Sequence, residues 1–319
     1  MSFSGSVKEE LLGCIDNARH CRIAEVAAVL AFDGEIVRLP SGEIDLRVSS
    51  ENESLVRKYF TLLEKTFTIR NSVSIDNRIT KKNNRFVVEL EEPESAVKIL
   101  QAVKLLGNDR TLQVSEALVN QMVVQRNCCR RAFIRGAFLC AGSISDPEKF
   151  YHFEIVCGSK AKAVQLMELI QSFEVDAKIV QRKKYYVVYV KEGAQIVELL
   201  GIMGAGVSLM NLENVRILKE MRNTVNRKVN CETANINKTV NAAVKQVEDI
   251  LYIRDTAGLD SLPENLEETA LLRLEYPQAS LKELGALLST PVGKSGINHR
   301  LRKICSIANE LRGVREEQV

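Results

Sequence analysis

The chain has no apolar run approaching the roughly 18 residues needed to span a bilayer, which excludes a transmembrane helix. Its first residues, MSFSGSVKEELLGC, lack a basic start followed by an apolar core, so no secretory leader is expected. Eight cysteines include no C-x-x-C pair and are accompanied by only three histidines, which argues against structural zinc. Cys140 and Cys157 sit in apolar runs and read as small buried hydrophobes, and the vicinal Cys128 and Cys129 read as reduced thiols. Gly201, Gly204 and Gly206 do not follow a strand in the G-x-G-x-x-G spacing and read as a flexible domain connection rather than a phosphate cradle. No metal and no cofactor is expected. What remains is a cytoplasmic globular chain of 319 residues, 45% hydrophobic and long enough for two or three domains.

Formal net charge is only +3, but it is unevenly spread. Residues 278–315 hold seven Lys or Arg against Glu283 and Glu310, a local charge of +5 that leaves the rest of the chain at −2. Concentrated positive charge is the electrostatic footprint of a polyanion partner. The same stretch, PQASLKELGALLSTPVGKSGINHRLRKICSIANEL, reads as two helices joined by a tight turn. Ser280 and Glu283 form a reciprocal capping pair ahead of Leu281, Leu284 and Leu288. Ser289, Thr290 and Pro291 break the periodicity, and Gly285 and Ala286 leave little bulk where a second helix must cross. Ile297, Leu301, Ile304 and Ala308 then form one buried stripe, with Ser295, His299, Arg302 and Ser306 turned away from it. Asn298 and Lys303 flank the outward face, and Lys294 and Arg300 reach sideways. Amides match adenine and Arg matches guanine in the major groove, whereas Lys and hydroxyls mostly hold phosphates. The candidate DNA contacts are therefore Lys294, Ser295, Asn298, His299, Arg300, Arg302 and Lys303. A solvated amphipathic helix is the bland alternative, and the capped helix before it favours helix-turn-helix.

The first two-thirds is duplicated. CRIAEVAAVLAFDGEI (21–36) aligns with CRRAFIRGAFLCAGSI (129–144), so that Gly34 and Gly142 coincide. Downstream of each, alternating segments and amphipathic stretches repeat in the order α-β-β-α-β-β-α over residues 20–107 and 128–204. Ala24, Ala27, Ala28 and Ala31 in the first helix, with Gly136 and Ala137 in the second, suit close packing of the two helices about a pseudo-two-fold axis. Cationic clusters recur in both hairpins: Arg78, Lys81, Lys82 and Arg85, then Lys178, Arg182, Lys183 and Lys184. They are candidates either for secondary backbone contacts with DNA or for discouraging edge-to-edge aggregation. Arg216, Arg222, Arg227 and Lys228 lie on a helical linker and either touch DNA backbone or face water.

VAAVLAFDG and IRGAFLCAG resemble the repeated motif of LAGLIDADG homing endonucleases, in which the acid before the final glycine of each helix binds divalent metal. Asp33 fits that pattern and Ala141 does not. Because a pair of hard cations needs anionic oxygen ligands beside the attacked phosphate, a single carboxylate is a poor substitute, and Asp33 reads as vestigial. Taken with NRKVNCETANINKTVNAAVKQ and KSGINHRLRKI, the whole chain is similar to the WhiA family. That resemblance implies a nonenzymatic DNA-binding regulator linked to cell division, chromosome segregation and, in some members, sporulation. It would be nucleoid-associated, with double-stranded DNA and protein partners and no membrane. The expected fold class is α+β: a first LAGLIDADG-like repeat in 1–107, a second in 108–210, a helical linker in 211–262, and an all-α helix-turn-helix domain in 263–319. A metal-dependent endonuclease and a scaffold of the division machinery are the competing readings.

Overall fold

A computed structural model describes residues 2–38, 43–69, 73–79, 84–90, 92–113 and 117–316. The chain divides inside its longest helix into two compact units, Met1–Lys219 and Glu220–Val319, each with its own core.

The first unit opens with α1 (Phe3–Leu12), a helix not expected from the sequence, capped by the Ser2 hydroxyl accepting from the Gly5 amide at 3.1 Å. The first repeat follows as α2 (Arg19–Asp33), β1 (Gly34–Arg38), β2 (Ile44–Ser50), α3 (Glu53–Phe67), β3 (Val73–Ile79), β4 (Asn84–Leu90) and α4 (Pro93–Ala102). The second is α5 (Asn127–Ala141), β5 (Gly142–Ile144), β6 (Phe153–Cys157), α6 (Lys160–Gln171), β7 (Lys178–Arg182), β8 (Tyr185–Val190) and α7 (Gly193–Met203). The expected duplication is thus present element by element. The two four-stranded antiparallel sheets have the same order, β1-β2-β4-β3 and β5-β6-β8-β7. Equivalent local chemistry produces equivalent starts: Asn52 caps α3 by accepting from the Leu55 amide, and Ser159 caps α6 by accepting from the Lys162 amide, both at 3.3 Å. Period-two alternation buries Ile44, Leu46 and Val48 in β2, and Phe153, Ile155 and Cys157 in β6, against the helical layer.

α2 and α5 pack side by side at the centre. A Cβ built on Gly136 would stand 2.8 Å from the Ala28 Cβ and 3.1 Å from the Glu25 carbonyl, so only glycine allows this approach without displacement. Both helices turn directly into a strand through glycine. A Cβ on Gly34 would meet the Leu30 carbonyl oxygen at 2.6 Å, and one on Gly142 would meet the equivalent Phe138 oxygen at 2.7 Å.

The glycines read as a flexible connection are instead part of helix structure. Gly201 lies in α7, Gly204 ends it in the left-handed region with φ 95°, and Gly206 begins α8 (Gly206–Thr256). The Gly204 and Ala205 amides both donate to the Leu200 carbonyl, at 3.0 and 2.8 Å, closing the turn with backbone hydrogen bonds. The second unit contains the rest of α8 with α9 (Glu264–Glu275), α10 (Leu281–Leu287) and α11 (Lys294–Glu316). Ile250 and Ile253 of α8 are fully buried with Leu266, Leu284 and the α11 stripe, so the end of the segment read as linker helps build the terminal core. In α9, Leu266 is buried and Leu271 is half exposed. No helix among the described residues is long and apolar enough to cross a membrane.

Candidate nucleic-acid interface

α10 and α11 meet as a helix-turn-helix whose geometry follows from a few side chains. The Ser280 hydroxyl accepts from the Glu283 amide at 3.3 Å, and the Glu283 carboxylate accepts from the Ser280 amide at 2.7 Å. This is the anticipated reciprocal cap. Gly285 makes the turn: its carbonyl accepts from the Val292 amide at 3.0 Å, and a Cβ there would stand 2.2 Å from the Val292 carbonyl oxygen. The Ser289 amide donates to Glu268 of α9 at 2.6 Å, tying the turn to the supporting helix. Ile297, Leu301, Ile304 and Ala308 are all fully buried. That fixes the rotation of α11, because at about 100° per residue the opposite row is then Ser295, His299, Arg302 and Ser306. All four are exposed.

Replacing Ser280 with alanine should cost the second unit about 1 kcal/mol, the usual value of such a cap, seen as a lower unfolding midpoint and faster amide exchange in α10. The Ser280 amide holds the Glu283 carboxyl below its ordinary value. A depressed folded-state pKa contributes stability above the unfolded value, and that contribution is lost as pH falls through the folded one. The stability gap between wild type and Glu283→Gln should therefore close below about pH 4. A gap unchanged down to pH 3 would refute the cap's electrostatic part.

The remaining proposed contacts occupy different environments. Lys294 and Lys303 are exposed and Asn298 is half buried. Lys294, Ser295 and Asn298 border a groove of about 380 Å³ whose other side carries Lys238 and Gln246 of α8 and Arg273 of α9. No motif or periodicity marks Lys238 out, since the fold alone brings it beside α11. Arg300 is not displayed outward. Its guanidinium donates to the Asn265 carbonyl at 3.2 Å and stands 3.5 Å from the Thr269 hydroxyl, fastening α11 to α9. Arg312 is likewise committed to the fold, pairing with the buried Asp249 at 2.6 Å and lying over the Tyr252 ring. The charge facing solvent is thus smaller than the count of basic residues implies.

In the first unit, Asp33 and Ala141 occupy matching final positions of α2 and α5. Lys8 of α1 projects toward this end, its ammonium 5.7 Å from the Phe138 ring centroid. Burial lowers the Lys8 pKa, opposed by Cys140 and Asp33. Burial and the Asp33 carboxylate together push the Cys140 thiol well up. This end of the two helices brings together one carboxylate, one thiol and one lysine amine, with alanine at the position that matches Asp33.

The hairpin cations are only partly free to meet a polyanion. Lys178 pairs with Asp176 at 3.0 Å, Arg182 pairs with Glu154 at 2.8 Å, and Lys184 lies over the Tyr185 ring. Lys183 occupies the left-handed turn position with φ 55°. In the first repeat Arg78 and Arg85 are direct partners in the β3/β4 register, and Lys81 and Lys82 lie outside the described residues. On α8, Arg216 pairs with Glu213 at 2.6 Å, whereas Arg222, Arg227 and Lys228 are exposed.

Three family models divide the chain in this order: the WhiA N-terminal LAGLIDADG-like domain over residues 19–106, the WhiA LAGLIDADG-like domain over 130–222, and the WhiA C-terminal HTH domain over 225–308. The chain belongs to the WhiA family. Among WhiA relatives, a probable cell division protein from Lachnoclostridium phytofermentans is 57% identical, with the match covering 98% of this chain and all of that protein. Another, from Lachnospira eligens, is 51% identical over 98% of both. The crystal structure of full-length WhiA from Thermatoga maritima shares the fold, with a TM-score of 0.59, 24% identity, and coverage of 97% of this chain and 99% of that one.

Proposed function

We propose that this WhiA protein is a sequence-specific regulator that binds double-stranded DNA through α11 and carries no nuclease activity. The observation that carries it is the outward row Ser295, His299 and Arg302, exposed opposite a fully buried row on a helix seated by a capped partner. In this role the N-terminal third of α11 enters the major groove, Arg302 and Asn298 read base edges, and Lys294, Lys303 and the neighbouring Lys238 hold phosphates. His299 and Ser295 line the same face. Arg300 sets the angle of α11 against α9 and acts on DNA only through that placement. The paired cations of the second sheet contribute backbone contacts only after releasing Asp176 and Glu154, so they add salt-sensitive affinity rather than specificity. The regulator works in the cytoplasm on the nucleoid, in cell division and, as the family resemblance implies, in chromosome segregation and sporulation. Protein partners fit the same reading: Val225, Val229, Ile236, Val240 and Val244 of α8 are each more than half exposed and offer apolar contact at helical spacing.

Selection of preferred sites from random duplexes with the full chain, followed by binding titrations, tests the proposal. Arg302→Ala should lose about 1–3 kcal/mol at the preferred site, about 5- to 150-fold, and relax preference at one base position. Lys294→Ala should weaken all sequences alike and make the salt dependence shallower by about one ion. Unchanged affinity and preference in Arg302→Ala would remove α11 from the readout. With Mg²⁺ present the duplex should stay intact, and cutting abolished by Asp33→Ala would install the endonuclease reading instead.

A further inference from the structure

The N-terminal turns of α2 and α5 carry a cluster that DNA binding does not use. His20 and Cys21 are the second and third residues of α2, and Cys128 and Cys129 are the second and third residues of α5. The pseudo-two-fold relation therefore pairs His20 with Cys128 and Cys21 with Cys129. It brings together four metal-ligating side chains from two places 108 residues apart. Their ligand atoms all lie within 4.8 Å of one another. The His20 Nδ1 has the Cys129, Cys21 and Cys128 sulfurs at 3.2, 3.3 and 4.0 Å.

We propose that His20, Cys21, Cys128 and Cys129 form a Cys₃His structural zinc site that staples the two LAGLIDADG-like repeats together. The dimensions match. With Zn–S near 2.3 Å and Zn–N near 2.0–2.1 Å, a tetrahedral site has N···S edges of about 3.6 Å and S···S edges of about 3.8 Å. The observed N···S distances bracket the first value, and no edge among the four donors exceeds 4.8 Å, so a central ion needs only a modest inward movement of the donors. Three thiolates and one imidazole around a closed tetrahedron form a structural zinc set, too soft for calcium or magnesium.

The placement of the donors points the same way: Cys21 and Cys129 are buried beside the exposed Cys128 in the first turns of α2 and α5. A divalent cation at the centre would give the three sulfurs one shared partner, with three thiol protons leaving to solvent. The loaded site would carry a charge of −1. It faces the positive ends of two helices, and in the metal-free arrangement the Arg126 Nη1 stands 3.3 Å from His20 Nε2. Once Nδ1 holds the ion, Nε2 carries the imidazole proton, and Arg126, which is exposed, turns outward to let that N–H meet water. Cys21 and Cys129 are buried, while Cys128 is exposed and leaves an entry path.

The full chain, purified from zinc-supplemented medium without chelator, should contain one zinc per chain by elemental analysis. Cys129→Ser and Cys21→Ser should lose it, and Cys14→Ser, outside the cluster, should retain it. Chelator-stripped wild type titrated with Co²⁺ should develop thiolate-to-metal charge transfer and the visible absorption of tetrahedral cobalt at one equivalent. That readout does not depend on any variant folding. Substoichiometric zinc with no tetrahedral cobalt spectrum would overturn the proposal, as would zinc that survives Cys129→Ser. A wild-type mass two hydrogens low, with a bridge mapped between Cys21 and Cys128 or Cys129, would overturn it in favour of a disulfide.

Discussion

Glu25→Ala should destabilise the first unit by about 3–5 kcal/mol, the usual cost of stripping one partner from a buried ion network. Glu25 lies in the middle of α2 and is completely buried. Its carboxylate pairs with Lys58 of α3 at 2.6 Å and with Arg135 of α5 at 2.8 Å, both also buried. Arg135 further pairs with Asp16 and donates to the Met203 carbonyl at 3.2 Å, and Lys58 donates to the Leu11 carbonyl at 2.7 Å. One acid thus sits between two cations that reach across both repeats and the ends of α1 and α7. Burial draws the Lys58 pKa down and Glu25 holds it up. Without the carboxylate, two cations remain in a low-dielectric interior with only carbonyl partners and the partly exposed Asp16. Because the chain folds as two units and a single two-state transition does not describe it, the measurement is amide exchange of α2 and α5 together with denaturant unfolding. Asp16→Asn should cost far less, since solvent reaches Asp16. A Glu25→Ala cost under about 1 kcal/mol would mean that water already screens the cluster.

Gly285→Ala should remove about 1–3 kcal/mol from the second unit, as overpacking typically does, and weaken DNA binding by the fraction of the domain that unfolds. Elsewhere in a helix the same change stabilises by about 0.5–1 kcal/mol, because glycine loses more backbone freedom on folding. Gly313 in α11 is the control, since a Cβ there meets nothing within 4 Å. At Gly285 the obstacle is the Val292 carbonyl oxygen, a backbone atom tied by the 3.0 Å hydrogen bond that closes the turn. The turn must open or α11 must shift. Thermal unfolding of both variants decides it: a Gly285→Ala protein as stable as Gly313→Ala would show that the turn has room to spare.

Several features were legible because they are local. The Ser280–Glu283 cap, the buried period of α11 and the alternation of β2 and β6 each depend on residues a few positions apart, so the pattern of side chains carries the information. The duplication was legible because the same order of patterns occurs twice. α1 was missed for want of a strong periodic signal, although Val7 and Leu11 are wholly buried. The glycines after 200 were misread because a left-handed stop at Gly204 and a loose connection share the same composition. Arg300 and Arg312 counted toward an outward charge until their partners, Asn265 and Asp249, were brought alongside from other helices.

By itself the sequence determined the order of elements, the helix-turn-helix and which face of α11 turns outward, since those follow from periodicity and capping within one segment. Tertiary structure alone decided which charges stay available and which are consumed in the Glu25 and Asp249 pairs. It also decided that His20 and Cys21 meet Cys128 and Cys129. The physical reason is that ion pairing and metal ligation act over a few ångströms, and only the packing of α2 against α5 and of α8 and α9 against α11 brings distant residues within that range.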